Sequence, residues 1–216
     1  MILKNFKKRI ITSIFLLLLV YLIFTFNLFL VFILILLGVL SILEFLQIIK
    51  KALKNKFYQY LSGLVFVIYV FIFCIMFFFF SNFLQLKILL FSLLLGCVAS
   101  DIGGFVVGNF LKGPKLTKIS PKKTISGAVG SVIFTGIVIS GSFYYFTNSF
   151  SYKILIIAIV TSCSCQIGDL FFSFLKRKAK LKDTGKFLPG HGGILDRIDG
   201  ILLGLPMGFL ALNIFY

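Results

Sequence analysis

The feature that most constrains this chain is its series of long apolar runs, which are separated by short polar clusters. Most runs approach the roughly 20 residues that a helix needs to cross about 30 Å of hydrocarbon. They lack the period-two alternation of a membrane β-barrel, and a mean hydropathy of +1.11 excludes an ordinary soluble domain. The sequence therefore predicts an all-α protein, a polytopic membrane bundle of about seven transmembrane helices. We place the spans near Ile10–Phe26, Leu28–Ile49, Tyr58–Phe80, Leu86–Val107, Ala128–Phe146, Ile154–Leu175 and Ile201–Tyr216.

The positive charges predict how these spans are oriented. Four segments, 4–9, 50–56, 112–123 and 176–197, hold 20 of the 22 lysines and arginines. By the positive-inside rule, these segments and the amino end face the cytoplasm. The first apolar run continues to about Phe26 without a small-residue cleavage site, so we expect a retained signal anchor in a cell inner membrane.

The positions of the basic residues also limit the classes of partner that the protein can bind. Because the basic residues lie in loops between spans, the net charge of +16 indicates membrane topology and phosphate binding, and nucleic acid is not an expected partner. The four cysteines lie within apolar runs, at spacings that predict neither disulfide bridges nor a zinc site.

The stretch from Ser173 to Gly200 differs from the rest of the chain. Within twenty-eight positions it holds seven basic residues, three aspartates, five glycines and the only histidine. Charged residues are costly to bury in a membrane, and glycines increase the conformational freedom of the unfolded chain. We therefore predict that this segment carries the chemistry.

Asp101 is the first of three acidic positions that we consider as candidate site residues. The chain has only six acids, and a carboxylate within a span costs about 2.5 to 3.5 kcal/mol. Cys97, Asp101, Gly104 and Gly108 lie on one helical stripe, where small residues allow close approach of another helix and bring the carboxylate into the bundle. The alternative is a packing seam with an acid paired to a lysine.

Asp169 is the second position. Gln166, Asp169, Ser173 and Lys176 share one helix face, and the carboxylate lies about 10 Å below the first basic residue, near the depth of lipid phosphates. This polar stripe suits a headgroup substrate. The alternative is an amphipathic helix end that faces a water-filled cleft.

Asp196 and Asp199 form the third position. They lie three residues apart, so both project from one face of a short helix that begins just after Gly192 and Gly193. Two such carboxylates repel unless a cation lies between them, and oxygen ligands favour Mg²⁺. Pairing of one carboxylate with Arg197 is the structural alternative.

Two basic loops are candidates for phosphate binding. They are Lys112 to Thr124 and Lys176 to His191. Basic inner loops are often only topology determinants, but both of these adjoin spans that carry aspartates. Lysines beside carboxylates are used in metal-assisted phosphoryl or nucleotidyl transfer. His191, which is flanked by glycines, is a candidate for a substrate or metal contact, with a structural role as the alternative.

These residues resemble the signature of the phosphatidate cytidylyltransferases, also called CDP-diacylglycerol synthases. The matching positions are Ser173, Lys176, Arg177, Lys182, Asp183, Gly185, Pro189, His191, Gly192, Gly193, Asp196, Arg197 and Asp199. Residues 119–124 resemble the family's S-P-K/N-K-T motif, 166–170 its Q-x-G-D-L motif, and 101–108 its D-x-G…G segment. We therefore expect one integral membrane domain over 1–216, with amino-terminal spans in 1–99 and a catalytic region in 100–204.

The resemblance implies that CTP and phosphatidate give CDP-diacylglycerol and pyrophosphate in phospholipid biosynthesis, with Mg²⁺, at a site that faces the cytoplasm. A second cation and a homodimer stay open. The implied catalytic residues are Asp169, Lys176, Arg177, Asp196 and His191. The implied cation ligands are Asp169, Asp196, Asp199 and Asp101. The implied substrate contacts are Ser120, Lys122, Lys123, Thr124, Ser173, Lys182, Gly192, Gly193 and Arg197.

The chain departs from the family pattern at two positions. Many relatives have acids where this sequence has Ser126 and Phe172. If either acid helps to hold a cation, this protein holds it with fewer ligands. Three other functions stay open at this point: CTP-dependent activation of a different lipid, a lipid kinase that uses CTP, and a transporter with a cation or proton path.

Overall fold

The computed structural model describes residues 18, 21–117, 119–121, 123–185 and 192–215, which form a bundle of long helices. Six helices in this part of the chain are long and apolar enough to cross a membrane. They are α1 (Asn27–Ala52), α2 (Lys56–Ser81), α3 (Leu84–Leu111), α4 (Ile125–Thr147), α5 (Tyr152–Lys178) and α6 (Leu195–Phe215). The chain is therefore a multi-pass helical membrane protein, as the apolar runs predict.

Most of the predicted spans agree with these helices. The second to sixth spans are confirmed as α1 to α5, and each helix extends a few residues beyond the predicted ends. The first span, Ile10–Phe26, lies mostly outside the described residues, although residues 21–25 are helical.

The prediction for the carboxyl end is confirmed in that both segments are helical, but it is wrong in dividing them into two elements. We expected a short helix around Asp196 and Asp199 and a separate span from Ile201, whereas α6 runs without a break from Leu195. A prediction from apolar runs excludes the two aspartates from a span, because charged side chains are costly within a membrane. In the folded protein Lys176 is paired with both carboxylates, so the helix continues through them.

Polar side chains define where several helices begin. Asn55 accepts a hydrogen bond from the Phe57 N–H at the start of α2, and Thr124 accepts one from the Gly127 N–H at the start of α4. These bonds satisfy backbone donors that have no partner within the first helical turn. The polar positions between apolar runs therefore act as helix starts as well as loop residues.

Small residues allow α3 and α4 to pack closely. A Cβ atom added to Gly103 would lie 2.6 Å from the carbonyl oxygen of Gly130, and one added to Gly104 would lie 2.6 Å from Ser131 Oγ. The Ser131 hydroxyl also donates to the Ser100 carbonyl oxygen at 2.7 Å. The two backbones approach as closely as small interface residues permit in membrane helices.

The stripe predicted around Asp101 is divided between two neighbours. Gly104 and Gly108 lie against α4, as predicted. Cys97 instead lies near α6, where a Cβ atom on Gly204 would be 3.2 Å from its sulfur. The upper part of α3 therefore contacts a different helix from the part that carries Asp101.

We expect Gly103→Ala to lower the free energy of unfolding by about 1 to 3 kcal/mol, because the added methyl group meets backbone and Phe134 on α4. Gly136→Ala is the matched control, since nothing lies within 4 Å of a Cβ atom at that position. The control should be neutral or stabilise by up to about 1 kcal/mol. Denaturant titration in detergent micelles measures both changes, and equal effects of the two variants would contradict the close packing of α3 on α4.

The up-and-down order of the helices brings the polar segments together. Consecutive helices with short connections run antiparallel. The carboxyl ends of α1, α3 and α5 and the amino ends of α2, α4 and α6 therefore lie at the same end of the bundle. The loop 112–124 and the connection from α5 to α6 therefore lie at the same end of the bundle. This end holds the motif residues.

Candidate functional site

A polar cavity of about 310 Å³ opens between α3, α4 and α5 at this end. Its lining includes Asp101, Gly104, Leu116, Ser120, Lys123, Thr124, Gln166 and Asp169. Five of these are predicted site residues, and they come from three separate segments of the sequence. The fold thus assembles one site from the family motifs around 101, 120 and 169.

Lys123 and Asp169 form the central ion pair of this cavity. The Lys123 ammonium group bonds Asp169 Oδ2, and the two side chains are 27% and 28% exposed. The Ser173 hydroxyl lies 3.5 Å from Asp169 Oδ1. Asp101 is close enough to interact electrostatically with both members of the pair. The cavity therefore presents one ammonium group and two carboxylates to whatever enters it.

The loop 112–124 is folded back by its own backbone. The Leu116 N–H donates to the Lys123 carbonyl oxygen at 2.8 Å, and the Ile125 N–H donates to the Pro114 carbonyl oxygen at 2.9 Å. A turn then joins Ser120 to Lys123 through a 3.0 Å backbone bond. This geometry brings Ser120, Lys123 and Thr124 to the lining of the cavity.

A second charged cluster joins α5 to α6. Lys176 Nζ lies 2.7 Å from Asp196 Oδ1 and 3.9 Å from Asp199 Oδ2. All three side chains are largely buried, at 10% to 12% exposed. A cation between the two carboxylates was predicted from their spacing, and in this structure Lys176 supplies that positive charge. Mg²⁺ binding by this pair stays a prediction.

Asp196 has more partners than its sequence context indicates. Its Oδ2 accepts the backbone N–H groups of Thr184 at 2.8 Å and Gly193 at 3.1 Å, while its Oδ1 accepts from Lys176. Asp199 has fewer partners, and its Oδ1 accepts the Gly200 N–H at 2.9 Å. Asp196 therefore fixes the connection between α5 and α6 to the start of α6.

The other predicted residues lie around this cluster. Arg177, Lys182 and Arg197 are exposed. Gly192 has a φ of +84°, and a Cβ atom there would lie 3.1 Å from Asp196 Oδ2, so this turn requires a glycine. Lys122 and His191 lie outside the described residues. Their predicted roles are untested.

An apolar groove of about 700 Å³ lies beside the polar site, on another face of α5. It is lined by Phe45, Leu53, Tyr58, Leu61, Ser62, Val65, Phe66, Tyr69, Ile167, Gly168, Phe171, Phe172, Leu202 and Leu203. Gly168 in the groove and Asp169 in the cavity are adjacent in sequence. The charged site and the apolar groove therefore lie on neighbouring faces of α5.

The two departures from the family pattern have structural explanations. Phe172 is buried and forms edge-to-face contacts with Phe45 and Phe66, on the side of α5 that faces α1 and α2. Ser126 Oγ accepts the Gly113 N–H at 3.3 Å and lies 3.0 Å from Thr124 Oγ1. Phe172 therefore packs in the apolar core, and Ser126 ties the loop to α4.

The sequence analysis missed one residue at this site. Glu44 is fully buried in α1, yet its carboxylate bonds Thr184, Ile194 and Leu195, which lie at least 140 residues further along the chain. A single acid within an apolar span is the signal that could have indicated a buried partner. The identity of the partner is not visible in the sequence.

The cavity fits an oxygen-binding cation that also contacts substrate. Mg²⁺ is commonly held by one or two carboxylates together with waters and substrate phosphates. Asp101 and Asp169 supply two carboxylates to one cavity, and the Ser120 and Thr124 side chains line it as well. Within the described ranges, no three His, Cys, Asp or Glu side chains are grouped so that they could hold a metal ion. Waters and substrate phosphates would complete the coordination of such a cation.

The fold and the site define a multi-pass membrane protein with a lysine- and aspartate-lined cavity beside an apolar groove. The sequence profile of the cytidylyltransferase family matches residues 4–215, so the chain belongs to the cytidylyltransferase family. This match also includes the amino-terminal helices, which lie outside the recognisable motifs.

Curated relatives agree with this family. The chain is 42% identical over 125 residues to a phosphatidate cytidylyltransferase of Rickettsia felis, a match that covers 52% of this chain and 54% of the relative. It is 40% identical over 131 residues to the Helicobacter pylori enzyme of that name, covering 57% and 46%. For the Rickettsia prowazekii enzyme the identity is 38% over 141 residues, covering 61% and 60%. The matches thus span about half the length of these relatives.

Proposed function

We propose that this protein is a phosphatidate cytidylyltransferase, which converts CTP and phosphatidate to CDP-diacylglycerol and pyrophosphate. The observation that carries this proposal is the position of the Lys123–Asp169 pair, in a polar cavity one residue from an apolar groove. Such a site can accept a triphosphate and a lipid side by side. The family membership and the names of the relatives support the same reaction.

The reaction needs little proton transfer. A phosphatidate oxygen attacks the α-phosphorus of CTP, the new P–O bond forms, and the bond to the β-phosphate breaks to release pyrophosphate. The attacking oxygen is already anionic near neutral pH. Positioning of the two phosphates and neutralisation of their charge therefore supply most of the rate.

We assign these tasks to the charged residues at the end of the bundle. Lys123 and the exposed Arg177 bind phosphate oxygens, and Ser120 and Ser173 offer hydroxyl donors. Lys176, held by Asp196 and Asp199, places a fixed positive charge beside them. The cation-ligand role expected for these two aspartates thus becomes, in our proposal, that of holding Lys176.

Asp101 and Asp169 are our candidates for holding a divalent cation with the substrate phosphates. When bound, Mg²⁺ would offset phosphate charge during transfer. We propose that the site faces the cytoplasm, where CTP is available, and that the membrane is the cell inner membrane. The concentration of lysines and arginines at this end of the bundle supports that orientation.

The direct test is transfer of label from α-³²P-CTP into lipid that partitions into organic solvent. The purified protein is incubated with phosphatidate in mixed micelles, with Mg²⁺ or with EDTA. We expect lipid-soluble label that depends on both phosphatidate and Mg²⁺, and at least about a hundredfold loss with EDTA, since a metal contributes several kcal/mol to such a transition state.

Product analysis separates the rival functions. A CTP-dependent lipid kinase would yield CDP and a new phosphomonoester, which carries no α-label. Label that appears only with a different lipid would change the acceptor. Bound CTP without any transfer in folded protein would contradict the proposed activity.

A further inference from the structure

The Glu44 carboxylate accepts three hydrogen bonds from residues between Ser173 and Gly200, the stretch that we call the signature segment. Its Oε1 accepts the Ile194 N–H at 3.0 Å, and its Oε2 accepts the Leu195 N–H at 2.9 Å and the Thr184 hydroxyl at 2.6 Å. The two N–H groups lie at the start of α6, where backbone donors have no partner within the helix. A carboxylate from α1 therefore caps α6.

Two glycines of the signature segment lie against this carboxylate. A Cβ atom on Gly193 would lie 2.5 Å from Glu44 Oε2, and one on Gly185 would collide with Oε1. Real side chains do not tolerate such distances without a shift of their neighbours. Gly185 is thus required by the Glu44 carboxylate, and Gly193 by the Thr184 hydroxyl and the Glu44 carboxylate together.

Thr184 connects Glu44 to the charged cluster. A hydroxyl group has one proton, and the Thr184 hydroxyl lies nearer to Glu44, at 2.6 Å, than to Asp196, at 3.1 Å. The Thr184 backbone N–H then donates to Asp196 Oδ2 at 2.8 Å. Since Asp196 also binds Lys176, a continuous chain of hydrogen bonds leads from α1 to the Lys176 ammonium group.

We propose that Glu44 is a positioning residue, which fixes Thr184 and the start of α6 and thereby holds the Asp196–Lys176 pair in place for cytidylyl transfer. Glu44 itself does not contact the reacting groups. Its effect on rate depends on the function proposed above, whereas its effect on the signature segment does not. Helix α1 therefore contributes to the site through Glu44.

The carboxylate is specifically suited to this role because it faces donors on all sides. Three groups donate to its two oxygens. A glutamine has the same shape but only one acceptor oxygen. If that oxygen replaces Oε2, the amide NH₂ points at the Ile194 N–H. Glu44→Gln thus removes acceptors without creating a cavity.

Amide hydrogen exchange and turnover together test the proposal on the full-length protein in detergent. In Glu44→Gln we expect the amides of Ile194 and Leu195 to exchange at least about tenfold faster, because they lose a charged acceptor. We expect kcat/KM for label transfer to fall by about 10- to 100-fold, which is the effect of a displacement of about 1 Å at a reacting site.

Thr184→Val is a second, nearly isosteric substitution, which interrupts the same series of hydrogen bonds. It should accelerate exchange in the same amides and lower kcat/KM by about tenfold. The double variant should be no worse than Glu44→Gln alone, because both changes interrupt one connection. Additive losses would indicate two independent effects on stability and would overturn the positioning role. If Glu44→Gln does not fold, Thr184→Val alone still decides whether the connection affects turnover.

Ser41→Ala is the matched control. Ser41 is also fully buried in α1, one turn from Glu44, but its hydroxyl donates to the Leu37 carbonyl oxygen of its own helix. It should leave exchange and turnover within about twofold of wild type. If Glu44→Gln behaves like this control in turnover, the proposal is wrong. If the wild type transfers no label, the proposed function fails, and the exchange rates alone decide whether Glu44 fixes the segment.

Discussion

Asp169→Asn should lower cytidylyl transfer by at least about a hundredfold while the protein stays folded in the membrane. The lost carboxylate lines the polar cavity and is the ion-pair partner of Lys123. Removal of a preorganised charge or a metal ligand at a reacting centre has effects of this size. The asparagine keeps the shape of the side chain, so the loss would reflect charge.

The fold should tolerate this change. Both members of the Lys123–Asp169 pair are more than a quarter exposed, so water can solvate the ammonium group that remains. The cost in the free energy of unfolding should be about 1 kcal/mol or less. A large stability loss would therefore indicate that Asp169 has a structural role that its exposure does not show.

Turnover at saturating CTP and phosphatidate, together with thermal unfolding in detergent, measures both effects. Lys153→Gln provides the control, since it changes a charge near the opposite end of α5, where the side chain is exposed. We expect wild-type turnover for this control. Near-normal turnover of Asp169→Asn would remove Asp169 from the proposed site.

The elements of the fold were predictable because membrane burial imposes a simple rule on the sequence. Five apolar runs became α1 to α5 with small changes at their ends. The rule failed at the start of α6, where Asp196 and Asp199 interrupt the apolar pattern. Their charges are compensated by Lys176, which lies 20 and 23 positions earlier, and no local pattern reveals that pairing.

The site was predictable as a set of residues but not as a geometry. The motifs identified the lysines and aspartates, yet Lys123 bonds an acid 46 positions away in the chain. Glu44 is the clearest case, since its partners follow at distances of 140 to 151 positions. Such pairings depend on helix packing, which also decides that Phe172 faces the apolar core.

Only the structure shows that the four candidate aspartates form two pairs with different surroundings. The spacing of Asp196 and Asp199 predicts a shared cation, and the choice between Mg²⁺ and a side chain depends on which basic residue reaches them. Lys176 reaches both, while Asp101 and Asp169 line the neighbouring polar cavity. The two pairs are therefore expected to respond differently to mutation.

Lys176→Met should impair both stability and activity. The Lys176 ammonium group is the nearest charge partner of Asp196, at 2.7 Å, and the cluster is nearly closed to water. Breaking a buried ion pair by removing one member costs about 3 to 5 kcal/mol, because the two remaining carboxylates lose their ammonium partner. We also expect at least about a hundredfold loss of label transfer, since a fixed positive charge beside the phosphates is lost.

A second substitution separates the two effects. In Lys176→Met with Asp196→Asn, one uncompensated negative charge is removed, and the asparagine oxygen can still accept the Thr184 and Gly193 N–H groups. The double variant should recover more than half of the lost free energy of unfolding, because the two residues are in direct contact and their effects are not additive. Its label transfer should stay as low as that of Lys176→Met.

Denaturant titration and label transfer on the same preparations decide between the two roles of Lys176. The exposed Lys153→Met is the control and should change the free energy of unfolding by less than about 0.5 kcal/mol. If the double variant regains activity together with stability, Lys176 is only a structural partner of the aspartates. If it regains stability alone, the loss of transfer is not a stability effect, as we expect if the ammonium group acts on the substrate phosphates and the two aspartates hold it there.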